Sequence, residues 1–525
     1  MPIQSEQQRS ELHKTIWSIA DDLRGSVDGW DFKQYILGTL FYRFISENLC
    51  AYLAEQEGDP SFDYGKLPDE QAEYGREETV KEKGFFILPS ELFSRVLETV
   101  DKNGMALAEN GDDLNEILVR VFANIEGSAV GTESEDDVRG LFADFDPNSP
   151  KLGNSVIERN KKLVTLITKI GALDFGGTFQ ENGIDAFGDA YEFLMTMYAS
   201  GTGKSGGEFF TPQEVGELLA RIVIGHRTSV NKVYDPCCGS GGLLLKFAKI
   251  LGASNVRSGF FGQEINLTTY NLARINMFLH DINFDKFSIV CEDTLKAPAH
   301  WDDEPFDAIV SNPPYSIKWE GKSNPLNIND PRFSPAGVLA PPSRADLAFT
   351  MHMLSWLSTE GTAAIVEFPG VLYRGGAEGK IRDYLVRNNF VDVVIQLPPD
   401  LFFNTNIATC VLVLKRSKST SDILFVDASG EFVRADAKNK LSQENIDRIV
   451  GTVVERTEEK NFSRLVSNDD VLTNDVNLSV SSYVEKPDER EEVDIKALNV
   501  EIERIVAREQ ELRERIDAIV ADLEG

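Results

Sequence analysis

The chain has 525 residues, enough for two or three domains with separate cores. With 42% apolar and 26% charged residues its composition is that of a globular protein, and 53 basic against 85 acidic residues leave a net charge of −32. That balance argues against DNA binding by this chain alone, because phosphate contacts need Lys and Arg; a local basic cleft, or a second chain, has to supply them. There is no apolar leader and no run of eighteen apolar residues, so a cytoplasmic protein off the membrane is expected. The five cysteines (Cys50, Cys237, Cys238, Cys291, Cys410) show no metal-ligand spacing and read as free thiols, with no metal site expected.

The first third, residues 1–180, reads as a helical domain. Tyr35, Leu37, Leu40, Phe41, Phe44, Ile45 and Leu49 recur at three- and four-residue steps between Asp31 and Leu49. Shorter periodic runs fall at Glu11–Leu23, Pro89–Val100, Leu114–Ala123 and Val156–Ile170, joined by acidic connections such as Glu55–Lys83 and Gly127–Asp137. Trp17 and Trp30 are expected in a core or an interface.

A further helical period carries Phe187, Ala190, Tyr191, Leu194 and Tyr198. The stretch Gly201–Gly207 after it contains Gly203-Lys204-Ser205. A phosphate-binding loop needs a glycine where Tyr198 stands, and a strand before it, so a mobile loop is the better reading. Glu208-Phe209-Phe210-Thr211-Pro212 then leads into a helix over Glu214–Ile224, with Thr211 suited to cap it and Pro212 to its first turn.

Lys232–Gly242 reads as strand, tight turn and helix start: Asp235-Pro236-Cys237-Cys238-Gly239-Ser240-Gly241-Gly242. The third glycine of a dinucleotide fingerprint would fall on Leu244. Asp235 stands before the turn, where it would repel a pyrophosphate and accept a ligand bearing an ammonium group. The two small cysteines fit packing in the turn better than thiol chemistry. Phe260–Glu264 is a second strand ending in a carboxylate, and a helix follows over Thr268–Leu279. Phe287–Cys291 is a third strand with Asp293 just beyond it, and Phe306–Val310 a fourth.

The fourth strand ends in Asn312-Pro313-Pro314-Tyr315. Two prolines hold φ near one value and donate no N–H, so the turn is stiff and its carbonyls are free to accept. Asn312 adds a side-chain acceptor and Tyr315 a flat face. Acceptors in a rigid arc beside a stacking platform suit a planar base with an exocyclic amino group. Residues 317–342, rich in Pro and Asn, read as a long loop that orders when DNA enters. Ala363–Phe368, Val391–Leu397 and Thr409–Leu414 complete an alternating pattern with helices at Leu347–Trp356 and Gly379–Asn388. Such alternation predicts an α/β fold with a largely parallel sheet and ligands at the strands' carboxyl ends, where Asp235, Glu264, Asp293 and Asn312 all fall.

Between the last sheet strand and the tail helix only Ser417–Pro487 remains, short for a domain that reads base sequence and not notably basic; 426–487 is read as a C-terminal extension. In the tail, Ile495, Leu498, Ile502, Ile505, Leu512, Ile516, Ile519 and Leu523 form a heptad-like seam. Such a helix, within 488–525, either packs on a partner or folds back on its own domain.

Taken in this order, the Glu208–Pro212 motif, the Asp235–Gly242 turn, Glu264, Asp293 and Asn312–Tyr315 resemble the amino-methyltransferases that modify adenine N6 in DNA. With the helical first third and the tail helix, the whole chain resembles the modification subunit of a type I restriction–modification enzyme. The resemblance implies a Rossmann-like S-adenosylmethionine (SAM)-dependent methyltransferase domain over 181–425. It implies SAM binding by Glu208, Phe209, Phe210, Thr211, Pro212, Gln213, Ser240, Gly241, Gly242 and Glu264, the last taking the ribose hydroxyls. Asp235 would lie near the methionine moiety and Asp293 on the adenine amine. Asn312 and Pro313 would accept from the target N6, with Pro314 stiffening the turn and Tyr315 stacking on a flipped base. The partners implied are double-stranded DNA, a specificity subunit serving two modification subunits, and a restriction subunit. N4-cytosine methylation, with a similar acceptor arc, and a SAM-binding scaffold inactive alone stay open as alternatives.

Overall fold

The computed structural model describes residues 13–18, 31–59, 62–100, 114–174, 184–201, 210–402, 406–435, 438–485 and 495–524. The chain divides into two units, Met1–Val484 and Glu485–Gly525.

The first third is helical as its periodicity predicts. The helix Asp31–Glu57 buries all seven of the recurring apolar residues named above. It packs with Leu114–Ser128 and Val156–Gly171, the last opened by a capping box between Ser155 and Glu158. The connection after residue 57 is less loose than its polarity suggests: Arg76–Lys83 is helical and Tyr64 is buried with its hydroxyl on the Ile87 carbonyl (2.8 Å). Trp17 is 44% exposed, so it is not a core residue, and an interface role is what remains of the expectation; Trp30 lies outside the described residues. This helical layer shares one apolar core with the helices Ile184–Gly201 and Leu267–Leu279. Buried Arg274 ties the two regions, donating to the carbonyls of Asp136, Asp137 and Arg139.

Among the described residues the sheet has nine strands: β1 (Val230–Asp235), β2 (Val256–Glu264), β3 (Phe287–Cys291), β4 (Phe306–Ser311), β5 (Leu357–Glu367), β6 (Val391–Gln396), β7 (Cys410–Lys415), β8 (Asp422–Asp427) and β11 (Ser463–Ser467). β9 (Val433–Ala435) and β10 (Lys438–Lys440) make a separate two-stranded ribbon. The order is β11-β8-β6-β7-β5-β4-β1-β2-β3. β3, β2, β1, β4 and β5 are parallel, as expected for strands joined by helices. β7 runs antiparallel to both β5 and β6. It follows β6 after a connection without a helix among its described residues, and so short a link returns a chain beside its neighbour rather than across the sheet.

The sheet also runs past residue 425. β8 straddles that expected border, pairs in parallel with β6, and carries β11 antiparallel on its outer side. The stretch beyond 425 therefore extends the same sheet. Register places the carboxyl ends along one edge: Asp235 beside Gly262, Glu264 beside Cys291, Ser311 beside Ile365.

The segment 317–342 is a correction. It folds into 3-10 turns at Gly321–Ser323, Pro325–Asn329 and Ser334–Ala336. Arg332, 2% exposed, forks onto Asp330 and donates to the carbonyls of Thr294 (2.8 Å) and Leu295 (2.9 Å). The protein's own hydrogen bonds hold this segment against the end of β3. In the second unit, Ile495–Glu524 is one helix, and Leu498, Ile502, Ile505, Leu512, Ile516, Ile519 and Leu523 are exposed.

Candidate active site

A cleft of about 1170 Å³, its open mouth included, lies at the carboxyl edge of the sheet. Phe210, Thr211, Pro212, Gln213, Asp235, Ser240, Gly242, Glu264, Asp293, Asn312 and Pro314 all line it. Gly241, Pro313 and Tyr315 do not reach the lining. Glu208 and Phe209 fall outside the described residues, as do residues 202–207 of the glycine-rich stretch.

One end is built by β1–β3. Gly241 holds φ at +78°, a left-handed conformation that costs glycine little, and starts the helix Gly242–Leu251. Asn276 fixes this turn from the neighbouring helix, donating to the Ser240 carbonyl (2.8 Å). Glu264 accepts from the N–H groups of Gly239 (3.1 Å) and Asn266 (2.8 Å), and burial raises its pKa. Asp293 accepts from Leu295 N–H (3.0 Å), which shapes the bend after β3.

Asp235 is the most telling group. It is fully buried, and its Oδ1 accepts from Cys237 N–H (2.9 Å) and Ser311 Oγ (2.8 Å). Its Oδ2 has no partner. Burial pushes its pKa up to about 7, against those two hydrogen bonds and with help from nearby Glu264. A carboxylate oxygen left unpaired in a cleft wall calls for a cationic donor from a ligand. Burial also raises the Cys237 and Cys238 thiols, which fits their packing role: the thiolate needed for nucleophilic chemistry is disfavoured.

The other end is the turn after β4. Asn312 donates from Nδ2 to Thr211 Oγ1 (3.1 Å) and accepts at Oδ1 from the Tyr315 hydroxyl (2.7 Å). Thr211 therefore serves Asn312 and does not cap the next helix, whose N-cap is Pro212 with no side-chain bond. The Tyr315 ring lies edge-on to Phe402 at 6.5 Å.

Sequence reasoning missed several groups in the cleft wall, among them Asn276, Lys246, Ile265 and Trp319. Asn276 carries a signal: it sits four residues after Leu272 on a buried helix, a polar residue where the period asks for an apolar one. Trp319 carries none, because its place depends on backbone pairing between Trp319 and Pro342 (3.0 Å).

The strand order and the antiparallel β7, with an acid-lined cleft beside a glycine turn, are those of a Rossmann-like methyltransferase fold. Residues 182–492 match the family model for N-6 DNA methylases, and residues 12–170 match the HsdM N-terminal domain. The type I restriction enzyme MpnII methylase subunit of Mycoplasma pneumoniae is 48% identical over 98% of this chain and 97% of its own length. The MjaVII methylase subunit of Methanocaldococcus jannaschii is 28% identical over 98% and 84%. The crystal structure of the type I restriction-modification methyltransferase subunit from Streptococcus thermophilus superposes with a TM-score of 0.80 at 34% identity, covering 91% of this chain and all of that one. The chain belongs to the N-6 DNA methylase family and, within it, to the methylase subunits of type I restriction enzymes.

Proposed function

We propose that this chain transfers a methyl group from SAM to the exocyclic N6 of an adenine swung out of double-stranded DNA. It acts in the cytoplasm as the modification subunit of a type I complex, two copies per specificity subunit, with a restriction subunit in the full assembly. The observation that carries the reading is the pairing of two unlike ends in one cleft: an unpaired buried carboxylate oxygen on Asp235 and a proline-stiffened amide acceptor at Asn312.

The residues present fit the cofactor. Asp235 Oδ2 would take an ammonium group, Glu264 the ribose hydroxyls and Asp293 an adenine amine; all three line the cleft, as do Ser240 and Gly242 of the glycine turn. When bound, SAM supplies an electrophilic methyl on a sulfonium centre. Asn312 and the Pro313 carbonyl accept the two N6 hydrogens and direct the nitrogen lone pair; no covalent nucleophile of the protein is needed. To take the base, Asn312 Oδ1 exchanges the Tyr315 hydroxyl for the target amine. Tyr315 is then free to offer its ring to the base.

The net charge of −32 supports delegation of sequence reading and much of the DNA affinity to the specificity subunit. The helix Ile495–Glu524, with its exposed apolar seam, suits docking on that subunit. No described helix is long and apolar enough to cross a membrane.

The test is methyl transfer from labelled SAM to DNA, with and without the co-purified specificity subunit, followed by mass spectrometry of the nucleosides. N6-methyladenine formed by the complex is the expected product. N4-methylcytosine, or no product from a complex that binds SAM, rejects the proposal. Removing residues 495–524 should abolish the complex and spare SAM binding; an intact complex after truncation rejects the docking role.

A further inference from the structure

Beside the target end of the cleft, two arginines converge on one buried carboxylate. Arg344 donates to Glu378 Oε2 (3.0 Å), and Arg374 stands 3.6 Å from Glu378 Oε1. Glu378 is 3% exposed, whereas both arginines reach solvent. Two guanidinium groups share this one carboxylate, with buried Asp346 and Glu367 also close by, and burial holds the Glu367 carboxyl well above its usual pKa, which favours its neutral form.

The arginines are next to the catalytic turn by register and by hydrogen bonding. Ser311 pairs with Ile365, so Pro313 and Glu367 stand two residues further along neighbouring strands, and the turn bearing Arg374 follows at once. On the other side, Ala345 N–H donates to the Ile317 carbonyl (3.0 Å), and Asp346 accepts from Ser316 N–H (3.0 Å). Arg344 thus flanks the residues that follow Tyr315.

The placement of Arg374 is built into the backbone. Its guanidinium lies over Gly370, where a Cβ would come within 2.3 Å of Cζ, and 5.6 Å from the centre of the Phe368 ring. Beneath it, buried Arg382 donates to the carbonyls of Val371 (2.8 Å), Arg374 (2.7 Å) and Val476 (2.9 Å), which fixes the turn. Arg374 Nη1 has no hydrogen-bond partner. That nitrogen is buried against Glu378 Oε1, so it is the solvent-facing remainder of the guanidinium that suits a phosphate oxygen.

We propose that Arg344 and Arg374 hold the backbone phosphates of the target strand beside the flipped nucleotide. Glu378 orients both side chains without cancelling their charge. The proposal rests on the DNA-methylation reading above and names residues through which this acidic chain itself grips DNA.

The experiment measures the affinity of the complex with its specificity subunit for a duplex that the parent complex methylates, at NaCl concentrations from about 50 to 200 mM. Arg344→Gln and Arg374→Gln should each make the slope of log affinity against log salt shallower by about 0.9, with SAM affinity kept. Gly370→Ala, which displaces the Arg374 guanidinium, should reproduce the Arg374→Gln slope, and Arg374→Lys should restore the parental one. Parental slopes in both Gln variants overturn the proposal, and so does a lower melting temperature or a lost specificity subunit with the slope unchanged. A parent complex that neither binds nor methylates any duplex refutes the underlying reading instead.

Discussion

The two ends of the cleft treat their polar groups in opposite ways. At the β1–β3 end a polar demand is left open: Asp235 Oδ2 is buried without a partner. At the β4 end Asn312 already has an internal partner on each amide atom, Thr211 on Nδ2 and Tyr315 on Oδ1. The first end gains a partner from a cationic ligand, so it should bind its ligand without help. The second, on the exchange proposed above, trades an existing hydrogen bond for that of the base. Cofactor first and base second is the order that this contrast favours.

The largest expected effect concerns the open end. A carboxyl whose folded pKa is raised to about 7 destabilises the free protein wherever it must ionise. The folded state then holds the extra proton, so stability falls as pH rises from about 4 to 7, by up to about 4 kcal/mol, and levels off above. Asp235→Asn should remove this fall in the melting temperature of the SAM-free protein; an unchanged pH profile breaks the comparison at its first end.

At the satisfied end, Asn312→Ala in the assembled complex should slow methyl transfer by about 10²–10³, the scale for removing one preorganised hydrogen-bonding group. Transfer at the parental rate breaks the comparison at its second end. Tyr315→Ala should lose roughly 1–3 kcal/mol of base stacking, read as weaker capture of the flipped base by fluorescence of a 2-aminopurine target. Tyr315→Phe keeps the ring and frees Asn312 Oδ1, so it should change the same signal only a few-fold. Thr211→Val loosens Asn312 by one hydrogen bond, about 0.5–1.5 kcal/mol, and should lower kcat less than about tenfold. A Thr211→Val effect as large as that of Asn312→Ala would show that the turn's orientation, and not its acceptor, carries the chemistry.

The same contrast explains what was legible in the sequence. β1, β2 and β4 announce themselves because apolar residues in each lead up to a polar stop: Asp235, Glu264 and, just past Ser311, Asn312. The helix Asp31–Glu57 was legible through its apolar period. Polar side chains that bond across the fold leave no such trace. Thr211 looks like a cap from its neighbours, and only tertiary structure shows it serving Asn312. Residues 317–342 look like a free loop because buried Arg332, which holds them, bonds to carbonyls far away in sequence. The direction of β7 and the pairing of β8 with β6 are equally silent, since apolar strands read alike in either direction.

The central claim is that the two ends are separable, and one titration tests it: SAM affinity measured side by side for Asn312→Ala and Asp235→Asn in the assembled complex. The account predicts parental affinity for Asn312→Ala and at least roughly a thirtyfold loss for Asp235→Asn, the lower end of the roughly 2–5 kcal/mol that a truncated buried charge pair costs. Parental affinity for Asp235→Asn, or an equal loss in both variants, would contradict it.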